Sequence, residues 1–193
     1  MCICKRAVHI VVGLASAGSG PHARHMEQPE LLDSFRSAMR HIAATVHAVT
    51  TGHEGGRFGI LATAVSSLSF HPPSLLVCIN RQASLHEPMD SAETFCVNVL
   101  GLGNRDVAEA FMRGGLGEER FQTGDWMEAH GVPVLATAQS SMICRIAHRH
   151  AFGTHTIFIG ELLEVFHRAN AKPLTYYDGH YIDISEAPEH LPG

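Results

Sequence analysis

The chain is 193 residues long, 45% hydrophobic and 17% charged, which excludes a disordered protein and supplies one domain with a full core. A net charge of −5 excludes nucleic acid as the main partner, because phosphate binding needs a basic surface; only the 15 histidines soften this in acid. Five cysteines are an odd number, too sparse for a disulfide scaffold and without CxxC spacing, which fits a reducing cytoplasm.

Residues 1–28 do not read like the rest. Lys5 and Arg6 precede an apolar run from Ala7 to Ala17, and Ala15-Ser16-Ala17 resembles a signal cleavage site. His9 interrupts that run, which is also too short to span a bilayer, so no membrane association is expected. Gly18 to His25 is rich in Gly, Ser, Pro and His, as a linker is. The expected organisation is a disordered extension over 1–28, one domain over 29–185 and a tail over 186–193.

Leu31, Leu32, Phe35, Met39 and Ile42 fall at helical spacings and predict a helix over Pro29–Ile42. Thr45–Thr51, a turn at Gly52–Gly56 and the run Phe58–Ser66 predict a hairpin. Pro72 and Pro73 then break the chain before an apolar strand, Leu75–Ile79. A short helix over Ser84–Ala92, a strand over Thr94–Leu100 and a helix over Asn104–Met112, capped by Asn104, follow. Gly114, Gly115 and Gly117 open a loop that runs to about Gly131. Leu135–His148 and Thr154–His167 read as long strands, and a last short strand surrounds Tyr181. Six or seven strands, few helices and no βαβ rhythm predict a mainly β fold, a small antiparallel barrel rather than a doubly wound sheet.

The common catalytic signatures are missing. There is no Walker sequence and no GxSxG elbow, and Gly101-Leu102-Gly103-Asn104 lacks the third glycine of a dinucleotide fingerprint. His148 and His150 share a strand face near His155, yet nothing beside them completes a metal shell, so no metal is expected. His47 and His86 read as surface or loop residues, and Cys78, Cys96 and Cys144 as small core residues.

Two segments point to a ligand. Leu61, Ala62, Thr63, Ala64, Val65, Ser66 and Ser67 combine small side chains with hydroxyls, which lets backbone amides approach a planar polar molecule. Asn80, Arg81 and Ser84 lie between a strand and a helix start, where a guanidinium and free amides suit a phosphate. The plainer alternatives are a small-residue strand and a capped helix beside a solvated arginine.

Together with Phe35-Arg36-Ser37-Ala38-Met39, Val49-Thr50-Thr51, Pro72 to Asn80, Phe95 to Leu100, Glu119-Arg120-Phe121, Gly153-Thr154-His155 and Pro173 to Tyr181, these segments resemble the flavin reductase family. The likeness runs from about Leu32 to Ile184 and implies a split β-barrel of Greek-key type that binds FMN. It also implies FMN or FAD at a homodimer interface, with ring contacts from Leu61 to Ser67 and from Tyr181. Phosphate contacts would come from Asn80, Arg81 and Ser84, with Ile79 and Leu85 beside them, and nicotinamide contact from His155. The implied activity is hydride transfer from NADH or NADPH to the flavin, which is then supplied to a partner monooxygenase. Thr154 stands where the family usually has an acid, and Leu61 where it commonly has threonine. Two alternatives stay open: a reductase of a cobalt corrinoid or iron complex at the same flavin site, and a non-catalytic flavin- or haem-binding module.

Overall fold

The computed structural model describes residues 28–113, 117–169 and 172–184. The expected extension up to residue 27, the tail from 186, and Gly114 and Gly115 lie outside the described residues. The first helix is α1 (Gln28–Arg40), close to its expected bounds. Its residues up to Arg36 and the chain from Ser37 onward form separate compact units, and the second holds everything that follows.

That unit runs β1 (Ala44–Thr45), β2 (His47–His53), β3 (Gly56–Ala62), β4 (Val65–Phe70), β5 (Pro73–Asn80), α2 (His86–Ser91), β6 (Thr94–Val99) and α3 (Arg105–Met112). It continues through β7 (Trp126–Ala129), β8 (Val132–Leu135), β9 (Ser140–Phe152), β10 (His155–His167), β11 (Thr175–Tyr177) and β12 (His180–Ile182). Seven strands form one antiparallel sheet in the order β3-β2-β6-β9-β10-β5-β4. Its two edges, β3 and β4, are consecutive in the chain and joined by Thr63 and Ala64 alone. The sheet therefore has to curl until its edges meet at that corner. Away from the corner β3 and β4 do not pair, which leaves the barrel split.

The expected strand Phe58–Ser66 is thus two strands. The Val65 amide donates to the Thr63 carbonyl at 2.9 Å, a turn too tight for the ladder to continue. The expected loop to Gly131 contains a 3-10 turn at Gly117–Gln122 and β7, because Phe121 is buried against Phe111 and Trp126 at ring distances of 5.3 and 5.0 Å. Asn104 holds the expected N-cap position of α3, but its side chain makes no capping bond to the helix. Its Oδ1 instead accepts from the Gly101 amide at 3.0 Å, and its Nδ2 donates to the Thr137 hydroxyl at 2.9 Å.

The two larger apolar clusters lie around Val49, Val77, Phe95 and Phe158 and around Leu100, Val107, Phe111 and Leu174, and a smaller one joins Cys96, Val132, Val134 and Ile143. Cys96 and Cys144 are buried free thiols; burial pushes Cys96 well up and Cys144 up to about 12, so both stay protonated core residues. Gly160 sits under the Phe95 ring, and an added Cβ would lie 2.6 Å from that ring and from the Cys144 Cβ. Since Phe95 is fully buried it has nowhere to move. Gly160→Ala is expected to cost about 1–3 kcal/mol of stability by overpacking, read as a lowered urea midpoint; an unchanged midpoint would contradict this contact.

Candidate functional site

β5 lies between β4 and β10, and its last residues draw three distant segments together. On one side Val65 pairs with Val77, and the Cys78 amide donates to the Ala64 carbonyl at 3.0 Å. On the other side Asn80 pairs with His155, and the Arg81 amide donates to the Thr154 carbonyl at 2.9 Å. The β3–β4 corner, the turn after β5 and the β9–β10 turn therefore meet at one end of one strand.

The turn is closed by Asn80. Its Oδ1 accepts from the Gln82 amide at 2.9 Å, and its carbonyl accepts from the Ala83 amide at 2.9 Å. This geometry leaves Arg81 and Ser84 exposed, with the Arg81 guanidinium in no ion pair among the described residues. α2 starts at His86, with Leu85 in the cap position, two residues later than expected. Ile79 and Leu85 are fully buried, so only their main chains can face a ligand. Leu61 packs on the Leu100–Val107 cluster, which likewise leaves its backbone.

Tyr181 is placed differently from the other site residues. From β12 it pairs with Tyr176 of β11, packs on the same cluster as Leu61, and directs its hydroxyl to Met112 Sδ at 3.0 Å. Burial first, and then the Glu109 carboxylate, raise the pKa of that phenol, while Arg105 over its ring at 5.7 Å works the other way. Among the described residues none of these partners of Tyr181 belongs to the Asn80–Ser84 turn.

Two clefts flank the strand. One, of about 460 Å³, is lined by Asn80, Arg81, Gln82, His86, Gly153 and Thr154. Beside it the Thr154 hydroxyl meets His155 Nδ1 at 2.9 Å and fixes the ring. The second, of about 360 Å³, lies along Ser66 and Ser67 and is closed by His47, Leu75, Met142 and Leu162. His47 and His86 are not surface residues. His47 is buried because β2 is paired on both sides, by β3 and β6, and its Nδ1 meets the Ala62 carbonyl at 3.2 Å. His86 is half-buried, its Nε2 2.8 Å from the Thr156 hydroxyl and its ring edge-on to Phe158 at 5.9 Å. For His47 a signal existed, since it stands inside the β-branched run from Thr45 to Thr51. No cluster of potential metal ligands occurs among the described residues.

A lone cation with free donors at one end of a strand, a ledge of small residues along it, and an exposed imidazole across it suit an extended anionic cofactor and a second nucleotide. This fold and site define a split-barrel flavoprotein. Residues 39–185 match the flavin reductase like domain, and the chain belongs to that family. It is 40% identical to the FMN reductase (NADH) RutF of Pseudomonas syringae pv. syringae over 157 residues, covering 80% of this chain and 88% of that one. Among solved structures it resembles the NADH:FAD oxidoreductase of Streptomyces globisporus, with TM-score 0.77 and 26% identity over 86% of this chain and 100% of the other. It also resembles BorF, the flavin reductase component of a bacterial two-component tryptophan halogenase, with TM-score 0.73 and 25% identity over 79% and 97%.

Proposed function

We propose that the chain is an NADH-dependent flavin reductase, with FMN the first choice of flavin and FAD the second, that delivers reduced flavin to an oxygenase or halogenase partner. The observation that carries this is the meeting of the Ala62–Ser67, Asn80–Leu85 and Gly153–His155 segments at one end of β5. Bound flavin supplies the acceptor for the hydride of NADH. Arg81 and Ser84 hold the phosphate, the amides of the β3–β4 corner hold the ring, and His155 sets the nicotinamide at attack distance. Thr154 orients His155 in place of the usual acid, through the 2.9 Å contact. No side chain has to move a proton in the hydride step, which accounts for a site without a nucleophile–base pair. The names of the relatives favour this over a corrinoid, iron or haem role.

Arg81→Ala and Ser84→Ala are each expected to raise the FMN dissociation constant ten- to hundredfold, from loss of a charge-assisted bond of about 1.5–3 kcal/mol. Riboflavin, which has no phosphate, should bind parent and variants alike. Equal losses for both flavins would make these residues structural.

We further propose a homodimer that works in a reducing cytoplasm. Beyond Glu161, β10 pairs only with β9, and beside this open edge Phe70 is 75% and Val165 54% exposed. An apolar edge of this kind supports pairing with a second copy. Three described cysteines are free, as a reducing compartment allows. Light scattering should give twice the chain mass at micromolar concentration; a monomer that still binds flavin would contradict the dimer.

A further inference from the structure

We propose that His47 is a positioning residue of the flavin site, whose Nδ1–H fastens the β3–β4 corner and whose Nε2 accepts a hydrogen bond from the imide N–H of the flavin ring. The inference rests on the flavin reading above. Its starting point is the 3.2 Å contact between His47 Nδ1 and the Ala62 carbonyl. A carbonyl can only accept, so Nδ1 carries the proton. In the neutral imidazole Nε2 is then a bare acceptor.

Burial keeps the ring neutral, lowering its pKa from the ordinary 6.5 more than the Ala62 contact raises it. Among the described residues His47 is the one titratable side chain that lines its cleft. The nearest carboxylates on β10, Glu161 and Glu164, are held by Arg145 at 2.5 Å and His130 at 3.0 Å. No charged group in that lining therefore competes for Nε2; the rival donors are serine hydroxyls, of which Ser66 already donates to the Ser67 carbonyl at 3.2 Å.

The length of the site brings the ring to this cleft. From Asn80 to Leu75 is five residues, roughly 17 Å of extended strand, about the reach of FMN from its phosphate to the far edge of its ring. With the phosphate on Arg81 and Ser84, the ring arrives between Ser66, Ser67 and His47. Hydroxyls and a bare imidazole nitrogen select the polar pyrimidine edge, whose single N–H lies between two carbonyls. The opposite edge of the ring offers only methyl groups.

The test compares riboflavin with its N3-methyl derivative, titrated by flavin fluorescence against parent, His47→Asn and His47→Gln. Asn places its amide near the position of Nδ1 and keeps the Ala62 anchor, while Gln keeps a polar group near Nε2 and gives up the anchor. The parent should prefer riboflavin over the methylated ring about three- to tenfold, the range of one neutral hydrogen bond. His47→Asn should weaken riboflavin by a similar factor and bind both flavins alike. His47→Gln should melt earlier yet still discriminate. In the parent, riboflavin affinity should fall in acid as Nε2 takes a proton; in His47→Asn it should stay flat. A parent that binds both flavins equally overturns the proposal, and so does a His47→Asn protein that keeps the preference or the acid limb. If His47→Asn does not fold, methyl discrimination by the parent and by His47→Gln decides. A parent that binds no flavin overturns the flavin reading itself, whereas FMN binding that depends on Arg81 without methyl discrimination overturns only the role of His47.

Discussion

Asn98→Leu is expected to lower stability by about 3–5 kcal/mol, enough to unfold much of a marginally stable domain at body temperature. The Asn98 side chain is fully buried and ties four strands together. Its Nδ2 donates to the Ala48 carbonyl at 3.1 Å and the Thr50 hydroxyl at 3.2 Å, while its Oδ1 accepts from the Leu135 amide at 2.8 Å and the Ser141 hydroxyl at 2.9 Å. Thr50 passes the chain on, donating to the Pro133 carbonyl at 2.6 Å. Leucine matches the volume but takes the side-chain partner from the Leu135 amide, the Ala48 carbonyl and the Ser141 hydroxyl, at about 1–3 kcal/mol each before relaxation, while the Thr50 hydroxyl keeps its bond to Pro133. Urea denaturation of the variant should show the loss as a shifted midpoint at unchanged slope. A change below about 1 kcal/mol would mean that water or a rearranged neighbour satisfies the network.

His155→Ala is expected to slow flavin reduction by NADH about 10–100-fold while leaving FMN affinity within about twofold. The residue is exposed, follows the β9–β10 turn, and sits opposite Asn80 with its ring held by Thr154. Truncation therefore leaves the core intact and removes only the proposed contact to the donor. Rapid mixing at limiting and at saturating NADH separates lost donor affinity from lost orientation. Reduction at the parental rate under both conditions would remove His155 from the site.

Most strands were legible because their apolar runs match their length, as in Leu75–Ile79 within β5 and Thr94–Leu100 over β6. The corner at Thr63 and Ala64 was not, because the small-residue pattern continues through it and only the meeting of two sheet edges requires a break. The exposed turn that carries Arg81 and Ser84, the proposed phosphate ligands, could be read, since residue type and exposure are both local properties of a turn. Asn98 and Arg120 could not. Asn98 stands in an apolar run, and its partners lie up to 50 residues away. Arg120, inside the Glu119-Arg120-Phe121 signature, donates to the carbonyls of Gly117 and Gly59 rather than to an acid, so no charge pattern marks it. His47 shows the same limit: its position was readable as strand, but its burial comes from β3 and β6 pairing on either side.

Hydride transfer at this corner is tested most directly by anaerobic rapid mixing of NADH with the FMN-loaded protein. Flavin absorbance should bleach in a phase whose rate saturates with NADH, and Arg81→Ala should show that phase only at higher FMN. A protein that binds FMN tightly yet leaves it oxidised at saturating NADH would contradict the account.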